Sequence, residues 1–83
     1  MERQESQAQQ ADRVVRQELR RRRWTEATPG QRKKGDVEKV KIAERLSDQT
    51  LVKVAWIAER LQMGSVADVN TRLYRWRQGK DNK

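Results

Sequence analysis

The chain has no cysteine and no histidine. Without thiols there are no disulfides, no Cys-based zinc sites and no thiol nucleophile. Without imidazole there is no Ser–His–Asp triad, no imidazole acid–base catalysis and almost no route to a transition-metal site. Phenylalanine is missing too, and the aromatic residues are Trp24, Trp56, Trp76 and Tyr74. Tyr74 invites a nucleophile reading, but no metal-ligand set or His accompanies it. No apolar run approaches the roughly 20 residues that cross a bilayer. The polar start, residues 1–6, has no signal-peptide pattern. These absences lead to the expectation of a soluble cytoplasmic protein that is not an enzyme and holds no metal or cofactor.

What the chain does have is positive charge. Across 83 residues, Lys plus Arg number 20 against 12 Asp plus Glu, a net charge of +8. That excess on so small a body implies a polyanionic partner, nucleic acid first, and nucleoid association with it. Hydrophobic residues are 34% of the chain, enough for a compact core of three or four helices and too little for a sheet sandwich.

Residues 1–7 carry no periodic apolar signal and read as frayed. From Ala8 to Trp24 helix formers dominate, with Ala8, Ala11, Val15 and Leu19 on one narrow stripe. Arg20 to Arg23 fall in its last turn, where cations favour the carbonyl end of the dipole. A stripe that thin packs lightly on the rest or pairs with a second copy, which gives a candidate homodimer through residues 8–24. Thr28-Pro29-Gly30-Gln31 has capping-box spacing, and Gly35 reads as the C-cap of that short helix or turn. Asp36 is placed to cap a helix from Val37 to about Leu46, with Val37, Val40, Ala43 and Leu46 inward and Ile42 at the flank. Ser47 to Thr50 reads as a polar break able to cap the next helix. Leu51, Val54, Ile57, Ala58 and Leu61 then share one face, with Ala55 beside them. Ser65 and Asp68 form a second capping-box pair before Val66, Val69, Leu73 and Trp76, and Gly79 to Lys83 reads as a polar tail. The expected parts are a basic helix and linker over 1–35, a helix-turn-helix domain over 36–78, from the pattern of residues 56–73, and a polar tail over 79–83.

Residues 56–73 have the pattern of a helix-turn-helix. Two helices joined by a few residues leave little room where they cross, so the first needs a small residue there, supplied by Ala58. Leu61 and Met63 fill the corner, and Val69 anchors the second helix one turn in. Gly64 relaxes the backbone before Ser65. Gln62 stands where Gly is common in such motifs, so it must tolerate the turn conformation. The expected fold class is therefore all-α, a small three- to four-helix domain containing a helix-turn-helix.

In that geometry the second helix lies in the DNA major groove. Removing its buried stripe leaves Asn70, Thr71, Arg72 and Arg75 as candidate base readers, since Arg can fork onto guanine and Asn onto adenine. Candidate phosphate contacts are Arg20, Arg21, Arg22, Arg23, Arg32, Lys33, Lys34, Lys53, Arg60 and Arg77. Asp68 suits a cap better than a field of phosphates, and the tryptophans suit core and rim packing. The expected partner is double-stranded DNA, and the alternative is a helical protein-interaction or self-association module. RNA binding is weaker, for want of a sheet-borne stacking platform.

The order of these pieces resembles the C-terminal region of bacterial REP-associated tyrosine transposases. The resemblance runs from about Glu5 to Arg77. It rests on an Arg-rich helix ending in Trp24, on Arg32-Lys33-Lys34-Gly35-Asp36, and on Trp-Ile-Ala-Glu-Arg-Leu-Gln-Met-Gly-Ser over 56–65. It implies an accessory helical region that holds DNA near a cutting domain. The family's catalytic domain uses paired histidines and a tyrosine, and neither role maps onto a residue here. Pro29 and Lys53 depart from the family pattern, which usually has Leu and Thr there.

Overall fold

Ser6 begins the first helix by a reciprocal cap: its hydroxyl accepts from the Gln9 N–H at 3.1 Å, and Gln9 Oε1 accepts from the Ser6 N–H at 2.9 Å. The computed structural model describes residues 6–81, which form five helices and no strand. They are α1 (Gln7–Arg22), α2 (Thr28–Gln31), α3 (Val37–Gln49), α4 (Val54–Arg60) and α5 (Val66–Asp81). The molecule is a small all-α domain, with one more helix than composition suggested because α2 is a single extra turn.

α1 ends at Arg23 in the left-handed region, φ 61°. The Trp24 N–H returns to the Leu19 carbonyl and the Arg23 N–H to that of Arg20, a Schellman ending. Of its expected stripe, Ala11, Val15 and Leu19 are buried, whereas Ala8 is exposed. Those three join the same core as Val40, Ile42, Ala43, Leu46, Ile57, Ala58, Leu61, Met63, Val69 and Leu73. The leading helix and the segment from residue 36 onward thus share one hydrophobic core.

α3 lies at the centre, packed by α1, α4 and α5. Covering on several sides explains why Ile42, expected at the flank, is fully buried while Val37 is 55% exposed. Asp36 caps α3 as expected, accepting from the Glu38 N–H at 2.8 Å. Other local signals fall elsewhere. Thr28 does not cap α2: Ala27 holds the N-cap position, and the Thr28 hydroxyl instead accepts from the Thr25 N–H at 2.9 Å. Gly35 is not a left-handed C-cap, since Arg32 ends α2 in extended conformation. Ser47 to Gln49 continue α3, and Thr50 stops it by returning both its N–H and its hydroxyl to the Leu46 carbonyl. The next connector is extended, so α4 starts at Val54 with Lys53 as N-cap, and Leu51 is 81% exposed rather than on the α4 core face. Ala55 and Val66 are exposed too. α5 carries through Gly79 to Asp81, where a tail was expected; nothing crowds a helix at Gly79. Of residues 1–7, expected to fray, Ser6 and Gln7 instead cap and begin α1 because the Ser6–Gln9 pair satisfies the free amides there; residues 1–5 and 82–83 lie outside the described residues.

Candidate nucleic-acid interface

The corner between α4 and α5 is built from the residues expected there. Ala58, Leu61, Met63 and Val69 are all buried. Gln62 takes the left-handed conformation at φ 56°, and Gly64 sits at φ 92°. The Met63 N–H returns to the Ala58 carbonyl at 2.9 Å, a Schellman turn whose apolar contact partners are these two residues. The chain therefore turns between residues 61 and 65, and α5 packs against α4. At the other side of the turn, the Ser65 hydroxyl accepts from the Asp68 N–H at 3.1 Å and Asp68 accepts from the Ser65 N–H at 3.3 Å. The Ser65 groups, with Arg72 and Lys34 nearby, hold the exposed Asp68 carboxyl below its ordinary value of 3.8.

With Val69 and Leu73 inward, α5 presents Ala67, Asn70, Thr71, Tyr74, Arg75 and Gln78 as an exposed face. Three of the four expected base readers, Asn70, Thr71 and Arg75, lie on it. Arg72 does not project freely. It is half-buried, its guanidinium rests on Gly35, and its buried Nε has no hydrogen-bond partner.

The expected phosphate contacts divide sharply. Arg22 is interior, its side chain 15% exposed, bridging Glu18 at 2.6 Å and Glu38 at 3.0 Å. Arg60 is likewise tied inward, to Asp12 at 2.8 Å and Glu26 at 2.9 Å. These two stitch helices together and are not surface contacts as first expected. Arg32 pairs with Asp36 at 2.9 Å and lies over the Trp24 ring, 4.6 Å from its centroid. Arg77 reaches Glu44 at 3.3 Å and Ser47 at 3.2 Å, and Arg21 reaches Glu18 at 3.5 Å. Arg20, Arg23, Lys33, Lys34 and Lys53 are exposed and form no ion pair among the described residues, and the same is true of Arg75.

Two residues escaped the sequence reading. Lys39 is fully buried, and its ammonium donates to the Gln62 carbonyl at 2.8 Å and the Arg32 carbonyl at 3.3 Å. It fastens the basic turn before α3 to the corner before α5. Burial pushes its pKa down, with Asp36 opposing and Arg32 assisting. Glu18, 5% exposed, gathers Arg21, Arg22 and Arg45. The signal for both was register: Lys39 precedes Ile42, Ala43 and Leu46 on one stripe, as Glu18 follows Ala11 and Val15.

The three tryptophans are partly buried against the core, and Trp76 donates its indole N–H to Glu44 at 2.8 Å. No helix among the described residues is long and apolar enough to cross a membrane. No family model, curated protein or solved structure matches this chain.

Proposed function

We propose that the protein binds double-stranded DNA non-catalytically, with α5 laid in the major groove. The observation that carries this reading is the polar, exposed face of α5, which includes Arg75, set off its core stripe by the Ala58–Met63 corner and flanked by Lys34, neither cation being in an ion pair among the described residues. Asn70 and Thr71 are the base-reading side chains, with Arg75 reaching a base or a phosphate. An accessory role beside a DNA-cutting domain, and with it a bacterial, nucleoid-associated setting, rests on the transposase resemblance.

Fluorescence anisotropy with a short mixed-sequence duplex tests the reading. About four to six phosphate contacts would lower affinity about 10²- to 10³-fold between about 50 and 200 mM salt. Absence of duplex binding at low salt would sink it.

Self-association is the second reading, and its specific support lies away from the α1 stripe, whose inner residues are already in the core. Leu51, 81% exposed, borders an open hollow of about 480 Å³ with Ala8, Ala55 and Trp56. Lys53 and Glu59 flank it, neither in an ion pair among the described residues. A second copy laid antiparallel would set each Lys53 against the other Glu59. Sedimentation equilibrium of wild type and Leu51→Glu decides it: a dimer lost in the variant supports this face, and a monomer at every concentration removes it.

A further inference from the structure

α5 meets the turn before α3 in a hollow of about 280 Å³ lined by Gly35, Val37, Val40, Arg72, Arg75 and Trp76. Its features do not fit a base reader. The Arg72 guanidinium occupies the space where any Cβ at residue 35 would stand, and the Gly35 backbone is not in the left-handed region. Glycine is therefore required here for close approach, not for turn geometry. The Arg72 Nε–H is shut in with no acceptor, although buried donors are nearly always satisfied. Arg75 stands one helical turn on, exposed and without an ion-pair partner among the described residues. Lys34 reaches the same flank, with its Cδ beside Gly64. Of the acidic neighbours, Asp36 is taken by Arg32 and the Glu38 N–H. Asp68 accepts from the Ser65 N–H and lies close enough to Arg72 and Lys34 to feel both charges, without a direct ion pair to either among the described residues, so a phosphate here competes with one capping carboxylate.

We propose that this hollow is the seat of one phosphate group, held by Arg72 and Arg75 over Gly35, and that its source is the DNA backbone running between α5 and the Lys33–Lys34 turn. The assignment of the source rests on the proposed DNA binding; the seat itself rests on the hollow. A planar guanidinium suits the task because it can grip two phosphate oxygens at once. A small rotation of the Arg72 side chain hands its stranded Nε–H to one of them. Arg72 then fixes α5 in register on the backbone, and sequence is read by Asn70 and Thr71.

The test has two arms. In the first, inorganic phosphate is titrated against chloride at matched ionic strength, with the Gly35 amide, the Trp76 indole N–H and the Arg72 Nε–H followed by NMR. Saturable shifts specific to phosphate are expected in wild type, and their loss in Arg72→Gln and Gly35→Ala. Gly35→Ala moves only the far end of a flexible side chain, so it keeps the fold, checked by its circular dichroism melt. In the second arm, Arg72→Gln lowers affinity for every duplex sequence by a similar factor, about tenfold. It also reduces the salt slope by about 0.9, the share of one phosphate. Arg72→Lys restores the slope but only part of the affinity. Shifts that merely follow ionic strength, or an Arg72→Gln protein that reorders its preferred sequences, overturn the seat. If phosphate titrates the hollow but no duplex binds, the seat stands and DNA as its source falls.

Discussion

Gln62 occupies a conformation that costs an L-residue roughly 1–2 kcal/mol, and glycine escapes most of that. Glycine also raises the entropy of the unfolded chain, which removes about 0.5–1 kcal/mol of the gain. Gln62→Gly should therefore stabilise the protein by up to about 1 kcal/mol, read as a higher urea midpoint with an unchanged slope. The strained residue is tolerated because its carbonyl receives the buried Lys39 ammonium. Lys39→Met fills the same space but leaves the Gln62 and Arg32 carbonyls without that donor. A loss of about 1–3 kcal/mol is expected, measured by the same melts. The two substitutions touch one hydrogen bond, so their effects should not add. A strictly additive double variant would show that Lys39 does not brace the turn.

Helix ends carry the acid sensitivity of the fold. Burial pushes the Asp36 carboxyl up, but the Arg32 guanidinium and the Glu38 N–H outweigh it, so it titrates below 3.8. Lys41 and Arg22 hold Glu38 below 4.5. A carboxylate depressed in the folded state contributes stability that is complete above its unfolded pKa and is lost as pH falls through its folded value. The thermal midpoint should thus stay flat from neutrality down to the ordinary carboxylate range and decline below it. Asp36→Asn should flatten part of that decline; an unaltered acid limb would remove Asp36 from its cause. These same caps mark where helix starts were legible. Asp36 and the Ser65–Asp68 pair announce α3 and α5 because a short acceptor lies beside free amides, a purely local fact. The start of α4 was not legible: Thr50 binds backwards to Leu46, and the connector after it is extended, which leaves Leu51 outside the core. Ile42 was misjudged because one-face periodicity assumes one partner and α3 has three. Lys39 and Glu18 lie on the buried stripes of their helices and were missed because a charged side chain reads as solvated until its distant partners are known. In the candidate site, the corner residues were plain from spacing. The fates of Arg22, Arg60 and Arg72 were not, since each depends on residues distant in sequence.

The net charge of +8 overstates the surface available to a polyanion, because several cations serve the fold. Arg60 joins α4 to α1 and to the segment before α2, with its side chain only 20% exposed. Arg60→Gln should lower stability by about 1–2 kcal/mol, discounted for its partly wet partners, while leaving the salt dependence of DNA binding alone. Lys33 and Lys34 are the converse: exposed, free of ion pairs among the described residues, and next in sequence to the Arg32 carbonyl that Lys39 holds, with Lys34 reaching Gly64 before α5. Replacing both by Gln should leave the melt unchanged and reduce the salt slope by about 1.8, two phosphates' worth. Equal charge is removed per residue in both experiments, so a field that merely summed over the whole molecule would predict equal slope changes per cation removed. The two effects separate only if binding is local to the α5 flank. A slope that drops for Arg60→Gln as much as for each lysine would mean that the protein attracts DNA as a diffuse cation, without a docking face.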